Sequence, residues 1–229
     1  MIPVLFYKKI GVYGMDFGPY DYETVVKIIQ EIRKLHFHFS NNLEEILTYN
    51  LKKTIDKVAS IEGVNSDFQK LLDRYKAKLN QFTVFLLSLH LRYPGIRYRV
   101  KQSESIREKI IYYLGPEHED GKVSINKSLN DLLGFRIFVE NLEIIYTNLC
   151  KDNEVKKIIN RMYMRNKDGY LGLHIYFKNN NNKFFPWELQ IWCVDNIKSN
   201  EQSHKEHKQK RHYISIPQNY HDADLEKEE

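Results

Sequence analysis

A basic segment followed by a predicted helix is the first group of residues whose types and spacing could do chemistry. Arg99 and Lys101 stand two residues apart in a segment that alternates apolar and basic residues, so a strand would place them on one face. Ser105 and Lys109 stand four residues apart on the predicted helix and also share a face. The unit gathers cations and a hydroxyl group as a triphosphate requires. Taken alone, the spacing favours a solvated basic strand edge.

Acidic residues accompany two further segments that read as strands. Asp131 precedes an apolar run that contains Arg136, and an arginine buried there needs a partner. Glu188 lies within another apolar run, where a strand places Gln190 and Trp192 on its face. Together the two carboxylates could hold Mg²⁺, and Glu188 could accept a proton from an attacking hydroxyl. The alternatives are a turn or cap at Asp131 and a structural Glu188 bonded to an arginine.

An aromatic residue flanked by glycines forms the last group. Tyr170 follows Gly169, and Gly172 and His174 come two and four residues after it. This segment predicts either a plain turn into a strand or a loop that presents Tyr170 as a stacking platform for a base. For each of these groups taken separately, the structural interpretation is the better one.

Composition excludes several classes of protein. The chain has 229 residues, of which 42% are hydrophobic, and this excludes global disorder. No apolar run is long enough for a membrane helix, and the N-terminus lacks the core of a signal peptide. Cys150 and Cys193 stand far apart, which argues against a disulfide scaffold or a zinc site and favours the cytoplasm. The net charge of +5 permits a polyanionic partner without requiring one.

The elements that must position these residues are helices first and then a mixed sheet. Apolar periodicity predicts helices over 22–39, 43–58, 68–89, 103–113, 142–150 and 196–213. Asn41 and Ser66 are predicted N-caps of the second and third helices. Alternation and apolar runs predict strands over 96–101, 132–139, 158–164, 171–178 and 186–194.

Taken together and in chain order, these groups resemble the synthetase domain of the RelA/SpoT family, which makes the alarmone (p)ppGpp. The resemblance covers residues 97–213. The matching motifs are Arg99-x-Lys101-x-x-x-Ser105-x-x-x-Lys109, Asp131-x-x-Gly134-x-Arg136, Gly169-Tyr170-x-x-x-His174, Glu188-x-Gln190-Ile191 and His204.

The resemblance implies an α+β fold of the nucleotidyltransferase-like RelA/SpoT synthetase type. Its central sheet is mixed and mostly antiparallel, helices flank the sheet, and a helical region precedes it. The implied division is an N-terminal arm with helices over 1–94, a synthetase domain over 95–216 and an acidic flexible tail over 217–229.

The family transfers the β,γ-pyrophosphate of ATP to a ribose 3′-hydroxyl, so the resemblance also implies roles for residues. Five residues would bind ATP, the two arginines at its adenine and the others at its phosphates: Arg99, Lys101, Ser105, Lys109 and Arg136. Asp131 and Glu188 would bind Mg²⁺ as the catalytic residues, with Glu188 also the base. Tyr170 would stack on the acceptor base. Three more residues would shape the acceptor side: His174, Gln190 and His204.

The acceptor side departs from the family pattern. The family usually continues Glu-x-Gln-Ile with Arg-Thr, whereas this chain has Trp192-Cys193. The asparagine expected about nine residues after the glutamate is not in register, since Ile197 stands there. Residues 187–192, 200–204 and 207–209 instead resemble the toxic branch of small alarmone synthetases. Several members of that branch pyrophosphorylate the 3′ CCA end of tRNA as toxins of toxin–antitoxin pairs.

Three functions therefore stand open. The first is a tRNA-modifying toxin silenced by an antitoxin protein, as a monomer or in complex with that antitoxin. Lys208 and Arg211 on the last helix would then contact tRNA, and a second basic segment over 151–165 could do so too. The second is a (p)ppGpp synthetase that uses GDP or GTP. The third is a decayed nucleotide- or RNA-binding module, against which the intact pair of Asp131 and Glu188 argues.

Overall fold

The computed structural model describes residues 18–41, 49–179 and 181–215, with side chains as far as Glu206. The helices are α1 (Tyr22–Asn41), α2 (Ser66–Arg92), α3 (Ser103–Leu114), α4 (Ile125–Ser128), α5 (Leu142–Lys151), α6 (Asn153–Ile158) and α7 (Ile197–Ser215). The strands are β1 (Ala59–Ser60), β2 (Gly63–Val64), β3 (Arg97–Val100), β4 (Leu133–Val139), β5 (Arg161–Lys167), β6 (Tyr170–Phe177) and β7 (Trp187–Cys193).

The central sheet has the order β3-β4-β7-β6-β5. Strands β4 and β7 run parallel, and the other neighbours are antiparallel. A separate two-stranded sheet pairs β1 with β2. The predicted α+β architecture, with a mixed and mostly antiparallel sheet flanked by helices, is confirmed.

The two faces of the sheet differ in chemistry because side chains alternate along each strand. Gly134 of β4 pairs with Glu188 of β7, which pairs with Tyr176 of β6. In the same way Gln190 lies between Arg136 and His174, so one face is polar. The intervening residues form the apolar face and belong to the main core: Phe135, Ile137, Leu173, Ile175, Leu189 and Ile191.

The N-terminal helices share their core with the apolar face. Val25 and Ile29 of α1 and Leu79 of α2 are fully buried in the same cluster as the sheet residues. The Trp187 indole donates to the Tyr75 hydroxyl of α2 at 3.3 Å. The main apolar core therefore lies on one side of the sheet, and the other side carries buried polar residues, among them His174, Glu188 and Gln190. None of the helices in the described ranges has the length and apolar character to cross a bilayer.

Buried His36 joins α1 to the chain between β6 and β7. Its Nδ1 lies 3.2 Å from the Asn179 side-chain oxygen, and its Nε2 lies 3.2 Å from the Phe185 carbonyl oxygen. Burial lowers the pKa of His36 to about 4. At neutral pH the ring is therefore neutral, and its single N–H donates to only one of these two oxygens.

The helix predicted over 43–58 is wrong where the structure describes it. Residues 42–48 lie outside the described residues. Asn41, the predicted cap, is the last residue of α1. Over 49–58 the chain forms turns and a short 3-10 helix, Ile55–Lys57. Leu51 and Ile55 are buried, but their amide groups bond to Asn182 and Val123 rather than along a helix. Tertiary packing therefore buries these apolar residues, although they do not form the helix that their spacing predicted.

Two predicted boundaries also shift. The cap of α2 is Asn65 rather than Ser66, since the Asn65 side chain accepts from the Asp67 amide at 2.9 Å. The strand predicted over 158–164 lies at Arg161–Lys167 and is preceded by α6, a helix that the sequence did not predict. The turn at Asp168-Gly169, with φ of 53° and 75°, sets this register. Residues 1–17 and the predicted tail lie outside the described residues.

Candidate active site

The first group of the candidate site is an Asp131 carboxylate that forms ion pairs with two lysines. The Lys101 amide donates to the Leu132 carbonyl oxygen at 2.9 Å, which fixes Lys101 beside Asp131. Its Nζ lies 2.6 Å from Asp131 Oδ2, and Lys109 Nζ, one helix away on α3, lies 2.9 Å from Oδ1. Lys109 also donates to the Asn130 side chain at 3.2 Å. The three charged side chains are 9–14% exposed.

Charge dominates the protonation of this cluster. Burial by itself would raise the pKa of Asp131, but Lys109 and Lys101 more than offset it and hold that pKa well below its ordinary range. Burial lowers the pKa of Lys101, against the attraction of Asp131. At neutral pH, Asp131 is therefore an anion whose two oxygens are both occupied by ammonium groups.

Glu188, on the central strand β7, accepts three hydrogen bonds. His174 Nδ1 lies 2.8 Å from Oε1, the Tyr176 hydroxyl donates to Oε1 at 2.7 Å, and Gln190 Nε2 donates to Oε2 at 2.8 Å. Burial would raise the pKa of Glu188, but the hydrogen bonds from His174 and Tyr176 outweigh it and lower that pKa. A buried carboxylate with these partners stays ionised and held in one orientation.

A buried chain of hydrogen bonds continues from Glu188 through Tyr170. The Tyr170 hydroxyl lies 2.8 Å from His174 Nε2, and the Trp192 indole donates to the same hydroxyl at 3.0 Å. Because the indole N–H can only donate, the Tyr170 proton is left for His174 Nε2. With Nε2 as the acceptor of that proton, His174 donates from Nδ1 to Glu188. Burial raises the pKa of Tyr170 to about 12.

Arginines line the opposite wall of the site. The Arg136 guanidinium lies 3.5 Å from the centre of the Trp192 ring and donates to Gln190 Oε1 at 3.0 Å. Burial, followed by the repulsion of Arg99, lowers the pKa of Arg136 to about 10. Arg99 is exposed on the edge strand β3, opposite Gly134. The two arginines thus approach one space from neighbouring strands.

His204 of α7 packs against the aromatic residues of this group. Its ring stacks on Trp192 at 5.5 Å and meets Tyr170 edge-on at 5.3 Å. Burial lowers the pKa of His204 to about 3. Within the described part of the chain, its buried Nε2 has no hydrogen-bond partner.

One cleft connects these parts. Its lining includes Arg97, Arg99, Asp131, Arg136, Glu188 and Gln190. Lys101 and Lys109 join it through Asp131, and His174 joins it through Glu188. Ser105 lies one turn before Lys109 on α3. The fold therefore brings together, from five separate motifs, side chains that the sequence analysis selected.

Two groups of predicted residues are placed differently. Tyr170 is 5% exposed at the start of β6 rather than open in a loop, so its stacking on an acceptor base stays a prediction. Lys208 and Arg211 belong to the part of α7 whose side chains lie outside the described residues. Their contact with tRNA also stays a prediction.

Three residues of the site were given no role from the sequence. Tyr176 bonds to Glu188, and its place two residues after His174 on a strand was the signal. Trp192 was predicted to share the face of Glu188 and was noted as a departure from the family pattern, and in the structure it contacts Arg136, Tyr170 and His204. Asn200 of α7 bonds to both the amide and the carbonyl of Leu171, at 2.8 and 2.7 Å, and so fixes α7 on β6.

Two carboxylates of the cleft are the type of ligand that the Mg²⁺ implied by the resemblance takes, although both Asp131 oxygens are paired with lysines. Asp131 and Glu188 line the same cleft, and Oε2 of Glu188 receives a hydrogen bond from Gln190 while retaining a lone pair. No group of three or more metal-ligating side chains occurs within the described ranges. Mg²⁺ commonly takes one or two carboxylates and completes its shell with phosphates and water. Asp131 and Glu188 are the residues that would hold it.

Comparison with known proteins places the chain. Residues 98–215, more than half of the chain, match the region found in RelA / SpoT proteins. A comparison with curated proteins gave no match.

Three solved structures are among those similar to this chain. Small alarmone synthetase 1 from Bacillus subtilis is 19% identical with a TM-score of 0.38, over 66% of this chain and 83% of that one. Small alarmone synthetase 2 from the same organism is 22% identical with a TM-score of 0.38, over 66% and 85%. The complex of the type VI effector Tas1 with its immunity protein is 13% identical with a TM-score of 0.27, over 66% and 84%. On the extent of the matched region, the chain belongs to the RelA/SpoT family.

Proposed function

We propose that this chain is an ATP-dependent pyrophosphokinase. It moves the β,γ-pyrophosphate of ATP to a ribose 3′-hydroxyl, and its acceptor is the 3′ CCA end of tRNA. The observation that carries the proposal is a single cleft lined by two carboxylates and three arginines. Its carboxylates are Asp131, which is paired with two lysines, and the hydrogen-bonded Glu188. Membership of the RelA/SpoT family supports it.

The donor side works by exchange of charged partners. Lys101 and Lys109 neutralise Asp131 until the phosphates of ATP arrive, and then turn to the phosphates. Asp131 and Glu188 are thereby left to hold Mg²⁺, which would neutralise charge on the phosphates. Arg99 and Arg136 would lie on the two faces of the adenine. Positioning and electrostatics of this kind supply most of the catalysis in phosphoryl-type transfer.

The transfer balances as a single displacement. The ribose 3′-oxygen forms a bond to the β-phosphorus, and the bond from that phosphorus to the oxygen bridging to the α-phosphorus breaks. AMP leaves with that oxygen, and the 3′-hydroxyl proton passes to Glu188. The lowered pKa of Glu188 keeps it ionised, which leaves a lone pair for the proton, although the same shift makes it a weaker base.

The acceptor side is formed by His174, Gln190 and His204 around Tyr170. Modified at its 3′ end, tRNA could not be aminoacylated, so the protein would block translation as a toxin, and an antitoxin partner would keep it silent. Family membership favours a second candidate, a (p)ppGpp synthetase that uses GDP or GTP.

The experiment supplies γ-labelled ATP and Mg²⁺ with tRNA, GDP or GTP in separate reactions. We expect label in tRNA and not in the nucleotides. Two controls are matched: tRNA ending in 3′-deoxyadenosine, which has no 3′-hydroxyl, and the variant Glu188→Gln, which keeps the size of the side chain. Label in GDP or GTP alone would establish the second candidate. Equal transfer by Glu188→Gln would overturn the assigned base, and no transfer to any acceptor would favour a decayed binding module.

A further inference from the structure

The outer strand β5 has a distinctive polar face. Arg161, Tyr163, Arg165 and Lys167 alternate along it, whereas Met162 and Met164 pack against the core from the other face. The register pairs these polar positions with Tyr176, His174, Gly172 and Tyr170 of β6. The cations of β5 therefore lie on the same face of the sheet as Glu188, two strands away.

Within the described residues, these cations have no carboxylate partner that would compete with a polyanion. Arg161, Arg165 and Lys167 are exposed, and we name them the β5 basic surface. Among the ion pairs of the described residues none includes them. Arg161 lies 4.6 Å from the centre of the Tyr163 ring, and Arg165 lies 5.6 Å from that of Tyr170. The guanidinium groups thus adjoin the aromatic rings that lead to Glu188.

Nearby lysines in the sequence occupy a different surface. Three exposed lysines, named here the helix lysines, lie at the end of α5 (Lys151) and on α6 (Lys156 and Lys157). Both helices bury their apolar residues, such as Leu149 and Val155, in the core on the apolar side of the sheet. Lys157 is also paired with Glu154 at 2.6 Å. The basic segment over 151–165 is therefore divided between two surfaces.

We infer that the β5 basic surface contacts the phosphate backbone of an RNA acceptor whose 3′ end reaches Glu188. This inference rests on the proposed function. From Arg161 to Lys167 a strand extends about 20 Å, which is several nucleotides beyond what a free nucleotide in the cleft would cover. The combination of exposed cations with adjoining rings is typical of surfaces that bind nucleic acid.

The competing explanation is that charged residues on an edge strand prevent pairing with other chains. That role requires no RNA and predicts no effect on tRNA binding. A comparison of two variants with equal loss of charge separates the explanations. One replaces the β5 basic surface (R161Q, R165Q and K167Q), and the other replaces the helix lysines (K151Q, K156Q and K157Q).

The measurement is the affinity for tRNA by fluorescence anisotropy at several salt concentrations, without ATP. We expect the β5 variant to bind tRNA at least tenfold more weakly, with a log–log salt slope about two to three units shallower, since each lost phosphate contact removes about 0.9. The helix-lysine variant should bind within twofold of the wild type. Melting temperatures near that of the wild type would show that both variants are folded, and Arg165→Gln alone should still weaken binding.

The outcomes separate the two proposals. If the wild type labels tRNA but the β5 variant binds it as well as the wild type, or no more weakly than the helix-lysine variant, the β5 surface is overturned and the proposed function stands. If the wild type labels only GDP or GTP and binds tRNA no better than the β5 variant does, the tRNA acceptor falls and this inference with it. Labelling of tRNA by the two variants adds a check, because only the β5 variant should label tRNA more slowly than the wild type.

Discussion

The Tyr170 hydroxyl is the junction of the buried chain that leads to Glu188, and its removal is the sharpest test of the site. It accepts from the Trp192 indole at 3.0 Å and bonds to His174 Nε2 at 2.8 Å. Tyr170→Phe deletes one oxygen atom and keeps the ring. Two buried polar atoms then lose their partner.

The expected magnitude follows from these two atoms. A buried donor or acceptor left unsatisfied lowers stability by about 1–3 kcal/mol, so the pair predicts a loss of about 2–6 kcal/mol. For a protein of this size, that loss corresponds to a fall in Tm of roughly 4–24 °C. Activity should also decline, because His174 would no longer be held in the tautomer that donates to Glu188.

The assay is thermal and urea unfolding, with Tyr163→Phe as the matched control. The Tyr163 hydroxyl lies on the same face of the sheet, 3.3 Å from the Tyr176 hydroxyl in a partly buried contact. Its loss should reduce the free energy of unfolding by less than about 1 kcal/mol. The difference between the two variants is therefore the measured quantity.

A Tyr170→Phe variant as stable as Tyr163→Phe would refute the buried junction. The same variant also separates the roles of the ring and the hydroxyl. If Tyr170 stacks on an acceptor base, Tyr170→Ala should lose use of the acceptor while retaining ATP binding. Loss of ATP affinity in Tyr170→Ala would contradict that role.

Three further predictions concern other parts of the fold. Asp131→Asn leaves two largely buried lysines without their anion, so urea unfolding should show a loss of about 3 kcal/mol or more, and unchanged stability would contradict the shared ion pair. His36 has a pKa lowered to about 4, so between that pH and about 6.5 the unfolded chain binds more protons. The free energy of unfolding should therefore fall as the pH falls through this range, by on the order of 3 kcal/mol, and His36→Gln should lose that slope; equal slopes would count against the assignment. Gly172→Ala would bring a Cβ within 2.7 Å of the Tyr170 hydroxyl and 3.0 Å of the Trp192 ring, so a loss of about 1–3 kcal/mol is expected in the same assay, and a neutral effect would contradict the packing.

Much of the site could be predicted because its residues recur at the period of their elements. Alternation in β7 places Glu188 and Gln190 together, and helical spacing places Ser105 with Lys109. The contacts between motifs could not be predicted in this way. The bond from Trp192 to Tyr170 joins residues 22 apart and depends on the register of β6 with β7.

The wrong helix over 43–58 has a related cause. Leu51 and Ile55 stand four residues apart, and the spacing fits a helix. Both are buried in the core instead, and their backbone amides donate to the carbonyl oxygens of Asn182 and Val123 in distant loops. Periodicity reports which residues are buried more reliably than it reports the backbone that buries them.

The parallel pairing of β4 with β7 has a consequence for when the protein can act during its own synthesis. Arg136 and Gln190, paired across these strands, are 54 residues apart in the chain, and β5 and β6 lie between them. Contacts of such high sequence separation form late, because the loop between them must close first. A nascent chain that ends before β7 has no Glu188 beside Asp131 and no wall for the cleft. The cleft therefore forms only after β7 has been synthesised, and a chain that terminates before β7 would lack it.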